Sequence, residues 1–179
     1  MTYPVFASGD VLNASDMNGV GLWLVKSQTV GSGVSSVTVT GAFSAQYTNY
    51  KILMVGGSST TDNSIAMTLG GTTANYYYSM IYSNYTGGSA VAAVNNGSNW
   101  TFAGTNSANG NNVNLDIIRP FESARTSISG LYVGPWSGGV NGAFGGFLND
   151  ANSYTSFTLT AGGGGTMTGG VIYVYGYRN

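Results

Sequence analysis

The chain contains no histidine and no cysteine in 179 residues. Their absence removes the commonest general base, the usual zinc ligands and every thiol nucleophile, and it excludes disulfides. Charge is also scarce. Charged residues make up 6% of the chain, against roughly 25% in an ordinary soluble domain, and five Lys+Arg nearly cancel six Asp+Glu to leave a net charge of −1. Lys26, Lys51, Arg119, Arg125 and Arg178 are scattered along the sequence. This argues against nucleic-acid binding, which depends on clustered cations neutralising phosphates. Helical periodicity is absent over any useful length, and no apolar run reaches the roughly 18 residues of a membrane-spanning helix. The first residues lack the basic opening and apolar stretch of a signal peptide, so neither conventional secretion nor membrane insertion is expected. A net charge near zero weakens repulsion between copies, and a permanent assembly is the natural setting for such a surface.

What is present is glycine, at 29 residues, tyrosine, at 13, and polarity carried by Ser, Thr and Asn. Aromatic and β-branched residues are plentiful, so the composition is not that of a disordered chain. The length suits one domain with a sizeable core. From residue 21 on, short runs alternate or fill with β-formers between Gly, Asn and Ser turns. The runs are 21–30, 35–40, 50–55, 64–69, 76–82, 99–103, 113–119, 126–133, 143–148, 155–160 and 171–178. In the first, Leu22 and Leu24 share one face, and Trp23 and Val25 the other. In the last, Ile172 and Val174 share one face and Tyr173, Tyr175 and Tyr177 the other, which predicts burial on both sides, by the core on one and by a neighbour on the other. Two long loops are expected, at 84–98 and 104–112, and Gly162 to Gly165 read as a flexible turn. The fold class is all-β, an antiparallel β-sandwich, and a jelly roll suits the strand count best.

Little here supports chemistry. Six acids are available to a carboxylate pair of the glycosidase kind. Asp10 and Asp16 lie in the N-terminal lead, Asp62 and Asp150 in turn-like contexts, and Asp116 and Glu122 flank Arg119, where an ion pair is the simpler reading. Asn149 to Asn152 lacks the acid density of a calcium loop, and no Gly-rich stretch leads into Lys-Ser/Thr at phosphate-loop spacing. No enzyme, cofactor or metal site is expected. The Asn-x-Ser/Thr matches at Asn84 and Asn99 read as chance in a chain rich in those residues. Aromatics near Asn-rich loops carry more weight, because a ring covers the apolar face of a neutral sugar while an amide bonds its hydroxyls. Tyr77, Tyr82, Trp100, Asn106 and Asn109 are the candidate glycan contacts. The competing reading places such aromatics in the core or at a subunit interface.

The first nineteen residues hold Pro4, Gly9 and Gly19 and show no alternation. Asn13 is a good helix N-cap, Asp16 sits three positions on, and Gly19 follows where a helix should stop. This predicts one helical turn over 14–18 behind an extended arm at 2–12. A single turn is not stable alone and must lean on something else.

Three stretches carry a resemblance. Phe6 to Asn18, with Gly9-Asp10, Leu12, Asn13 and Ala14-Ser15-Asp16-Met17-Asn18, resembles a segment near the N-terminus of many tailed-phage fibre and virion structural proteins. Gln28 to Ile52 looks like the first hairpin of a phage structural β domain, and Gly169 to Asn179 is similar to the closing strand of such proteins. The resemblance implies a virion protein, tail-fibre-like, built as a β-sandwich and often a homotrimer, on the exterior of the tail or capsid. Residues 1–19 are then a virion-attachment arm and 20–179 the sandwich body. In the arm Leu12 and Met17 are expected to bury against a neighbouring virion protein, Asp16 to hold the turn, and Asp10 to join the docking. The expected function is that of a tail fibre or receptor-binding component touching host-surface glycan. A capsid decoration or head-fibre protein, a stand-alone carbohydrate-binding module and a depolymerase are the alternatives.

Overall fold

The structure is a computed structural model that describes residues 8, 9 and 21–177. The expected arm residues Asp10, Leu12, Asp16 and Met17, and the turn over 14–18, lie outside the described residues. The described strands are β1 (Leu22–Thr29), β2 (Ser36–Val39), β3 (Asn49–Gly56), β4 (Ser58–Ser59), β5 (Asn63–Leu69), β6 (Tyr76–Asn84) and β7 (Ser89–Gly97). They continue with β8 (Trp100–Asn106), β9 (Asn111–Ile118), β10 (Thr126–Gly134), β11 (Val140–Leu148), β12 (Phe157–Ala161), β13 (Met167–Thr168) and β14 (Val171–Tyr177). The one helical element among the described residues is a single 3-10 turn, Trp136–Gly138.

The chain is an all-β antiparallel sandwich, as its alternation predicts. Eight strands pair from the outside inwards: β1 with β14, β2 with β12, β3 with β9 and β5 with β8. This long nested hairpin then folds over, so that β14 also bonds β3 and β12 also bonds β5. Two hairpins are inserted into it, β6–β7 between β5 and β8, and β10–β11 between β9 and β12. They bond each other through β11 and β6, and bond the body through β10 and β9. The result is one twelve-stranded hydrogen-bonded sheet folded on itself, its eight-stranded part, β1-β14-β3-β9-β10-β11-β6-β7, opposing its four-stranded part, β2-β12-β5-β8, while β4 and β13 pair separately. The sheets meet at β9, which gives one whole edge to β3 and divides the other between β10 and β8.

The core lies between the sheets. Val39, Met67 and Leu159 from the small sheet meet Ile52, Leu115 and Val174 from the large one, and all are buried. Each such side chain contributes about 1.5–3 kcal/mol relative to exposure. Buried tyrosines close the ends with their hydroxyls. Tyr50 donates to Ser44 O at 2.9 Å, and Tyr76 accepts Leu69 N at 2.8 Å while donating to Thr72 O. Burial raises the Tyr76 phenol well above its ordinary pKa.

Three expectations are corrected. The loop expected at 84–98 is mostly β7, an edge strand whose Ala, Asn and Gly have weak β preference and which owes its form to pairing with β6. The loop expected at 104–112 shrinks to the turn 107–110, because β8 and β9 run further than their glycines and asparagines suggest. Asp116 pairs with Lys51, directly across on β3 at 3.1 Å, rather than with Arg119. In β14, Ile172 and Val174 are enclosed on the core side as expected, and Tyr173, Tyr175 and Tyr177 stay half-exposed on the side expected to meet a neighbour.

Candidate functional site

Strand direction gives the body two unlike ends. The chain joins β1 at Gly21, and eight residues at roughly 3.3 Å each carry it about 26 Å to the far end. There lie the connections 30–35, 57–62, 85–88, 107–110, 135–139 and 162–170, whose one charged residue is Asp62. The near end collects Arg119, Glu122, Arg125 and Asp150. The far end is therefore a surface of hydroxyls, amides and bare backbone.

Those loops are tied together by side chains. Asn106, at the last position of β8, is buried and donates through Nδ2 to Ser59 Oγ at 3.0 Å, Thr61 O at 3.0 Å and Thr61 Oγ1 at 2.9 Å. Thr61 passes the link on to Gly162 O at 2.9 Å, and Thr60 Oγ1 accepts Thr166 N at 2.9 Å. The turn 107–110 is held by Asp62, which accepts Ala108 N at 3.4 Å, and by Ser107 Oγ, which accepts Asn109 N at 3.2 Å.

Beside this polar set an aromatic file runs out from the core. Phe102 meets Tyr78 at 6.0 Å, Tyr132 at 5.7 Å and Trp136 at 5.0 Å, and Trp136 meets Tyr82 at 5.5 Å. The Tyr132 hydroxyl is buried with no partner among the described residues, and burial raises its pKa. At the rim, Tyr85 stands 65% exposed in the β6–β7 hairpin turn. Its ring lies over Gly139, where an added Cβ would come within 2.5 Å of the ring, and its N–H donates to Gly139 O at 3.1 Å. Gly139 has φ +100, so the seat needs glycine twice over.

The five glycan candidates are thus not one group. Tyr82 and Asn109 reach the far end, with Tyr82 half-buried and Asn109 exposed. Tyr77 lies five residues back along β6, roughly 16 Å away, stacked on Phe147 at 5.0 Å. Trp100 and Asn106 are corrected: both are 0% exposed, the first in the core edge-on to Tyr76 and the second clamping the loops, so neither surface meets a ligand. Tyr85 and Trp136 are further aromatics that lie at the far end. Their signal was position in hairpin connections, which ranks an aromatic as exposed only once the hairpins themselves are recognised.

Glycoside hydrolysis needs two carboxyl groups about 5–9.5 Å apart, and the far-end connections hold one. Among the described residues no three acidic side chains come together as a metal site. At the near end of the large sheet, Tyr177 Oη donates to Asp116 Oδ1 beside Lys51, and its pKa is pushed up to about 12, first by burial and then by that carboxylate. This is a mutually satisfied polar cluster. Compared with protein-family models, with curated proteins and with solved structures, the chain matches none.

Proposed function

We propose that this chain is a tail-fibre-like virion structural protein that holds and adheres without catalysing a reaction. Its arm, residues 1–19, docks the particle through Asp10, Leu12, Asp16 and Met17. Its body is a jelly roll, a reading supported by the nested pairing of eight strands into the orders β1-β14-β3-β9 and β2-β12-β5-β8. Its far end touches a neutral host-surface glycan through Tyr85, Tyr82, Trp136 and Asn109.

The observation that carries this reading is the opposition of the two ends. The chain leading in from residues 1–20 joins the body at the near end, where Leu22 pairs with Tyr177. The hydroxyl- and amide-rich surface, charged only at Asp62, lies at the other with its exposed ring. A sugar without charge gains nothing from ion pairs and is met by ring faces and hydrogen bonds.

Two experiments test it. The full chain is bound to immobilised neutral bacterial polysaccharide and to host cells, with Tyr85→Ala and Asn109→Ala as variants. Both side chains are exposed, so folding is untouched, and binding is expected to weaken about tenfold for Tyr85→Ala. Equal binding by all three proteins removes the glycan assignment. Deleting residues 2–18 is expected to abolish incorporation into particles, and normal incorporation overturns the docking role.

A further inference from the structure

The two outer faces of the sandwich are chemically unlike. On the four-stranded sheet β2, β12 and β5 turn Thr38, Thr158, Thr160 and Thr68 outward, and the first two bond each other at 2.9 Å. That is the hydrophobic-in, polar-out alternation of a sheet face bathed in water. The eight-stranded sheet departs from it. Ten large hydrophobic side chains are exposed among the described residues, and eight of them share its outer face.

The register establishes this. One row crosses all eight strands, from Leu24 through Tyr175, Lys51, Asp116, Ser129, Gly145 and Ser79 to Ala93. Residues two apart on a strand share a face. Leu22 and Leu24 therefore project from β1, Val55 from β3 and Ile118 from β9. The inserted hairpins add Ile81, Val91, Leu131 and Val133, of which Ile81 and Leu131 are each 68% exposed. Leu131, Ala143, Ile81 and Val91 stand directly side by side across four strands. A shallow groove of ≈ 370 Å³ runs beside them.

Charge on this face is confined to one ion pair. Neither inserted hairpin, 76–97 or 126–148, contains a single Asp, Glu, Lys or Arg. Lys51 and Asp116, in the middle of the sheet, neutralise each other. The sheet ends in β7, a nine-residue edge with no lysine and no proline to block strand addition.

We propose that this face is where a second copy of the chain packs. Eight strands at roughly 4.8 Å, each about eight residues long at 3.3 Å, span about 1,000 Å². A stable interface takes about 800 Å² from each partner, so the face suffices without help from the rest of the surface. A face of aliphatic side chains whose one ion pair neutralises itself is complementary to a second copy, and it offers no net charge pattern by which a different protein would be selected. The assignment is independent of whether the far end binds a sugar.

Sedimentation velocity of the full chain at micromolar concentration tests it, comparing the native protein with Ile81→Glu/Leu131→Glu and with Thr160→Glu on the opposite face. The native chain and Thr160→Glu are expected to sediment as the same oligomer. The double variant should dissociate, its dissociation constant rising about 100-fold or more because two carboxylates would be buried unpaired. A monomeric native chain overturns the proposal, and so does an oligomer that the double variant leaves intact. Should the double variant fail to fold, a photo-crosslinking residue at Val91 in the otherwise native chain decides. An adduct of two copies supports the interface, and an adduct to another protein, or none, overturns it.

Discussion

Replacing Trp100 separates a core residue from a ligand contact, and the size of the effect follows from its surroundings. The ring is 0% exposed, meets Tyr76 edge-on at 5.0 Å and 84°, and sits across from Met67 on β5. Burial of roughly 200 Å² at about 25 cal/mol per Å² is worth about 5 kcal/mol, and the aromatic pair adds about 1. Against this, the indole N–H has no partner among the described residues, and deleting such a donor returns about 1–2 kcal/mol. Trp100→Ala should therefore cost about 4 kcal/mol, or about 10 °C in Tm at this chain length. Trp100→Phe keeps a ring beside Tyr76 and removes the orphan donor, so it should cost only about 1–2 kcal/mol. Urea unfolding followed by circular dichroism, at one fixed protein concentration, reads both values, since any assembly contributes to apparent stability. A loss below about 1 kcal/mol for Trp100→Ala, or equal losses for the two variants, would refute the core placement.

Other expectations follow from single contacts. Asn106→Ala should cost about 1–2 kcal/mol and speed amide exchange at 59–61 and 162–166. Asn106→Asp should cost more, because a buried carboxylate would face the Thr61 carbonyl; unchanged exchange in both would deny Asn106 its clamping role. Gly57→Ala should destabilise the far end by a few kcal/mol, since φ is +71 and the new Cβ would lie 2.2 Å from Gly169 O. A thermal melt matching the native one would contradict that backbone approach. Tyr177, at about 12 against 10 unfolded, keeps its whole contribution below pH 10 and loses it as pH rises through 12, because the unfolded phenol ionises first. Asp116→Asn removes the carboxylate, so one tyrosine should ionise at lower pH in an ultraviolet titration, and an unmoved curve would rule out their contact.

Local alternation made most strands legible. Val37 and Val39, Ile65, Met67 and Leu69, and Val113, Leu115 and Ile117 all face the core as their spacing predicts. The strand that alternation hid is β7, where Ser89-Ala-Val-Ala-Ala-Val94 carries too little contrast between faces to announce a period. Its pairing comes from β6, through contacts such as Ile81 opposite Val91, which sequence spacing does not reveal. The same limit misplaced the glycan candidates. Trp100 and Tyr85 are both aromatics next to Asn-rich stretches, yet one is enclosed and the other stands in water, because β8 belongs to the small sheet's core edge and Tyr85 to a hairpin turn. Asp116 found Lys51, sixty-five residues away, because strand register outranks sequence proximity.

The two insertions explain why the large sheet, and not the small one, breaks the usual polar-out pattern. A four-strand-on-four-strand sandwich has matched sheets, and each covers the other. Here β6, β7, β10 and β11 double the width of one sheet, while the opposing sheet stays at four strands. The inserts bury their inner side chains, such as Met80, Tyr132 and Phe144, with help from Trp136 and the 3-10 turn. Many of their outer side chains are small or aliphatic, as in Ser79, Gly145, Ala143 and Ile81, with Tyr77 stacked on Phe147 towards the near end. A solvated sheet face would gain solubility from Lys or Glu at those positions at almost no energetic cost. Charge is spent instead at the near-end turns, at Arg119, Glu122, Arg125 and Asp150, where a packed sheet would not bury it. The strands of the small sheet hold no charge and the large sheet holds Lys26, Lys51 and Asp116, so it is the exposed aliphatic side chains, and not missing charge, that set the large sheet's outer face apart.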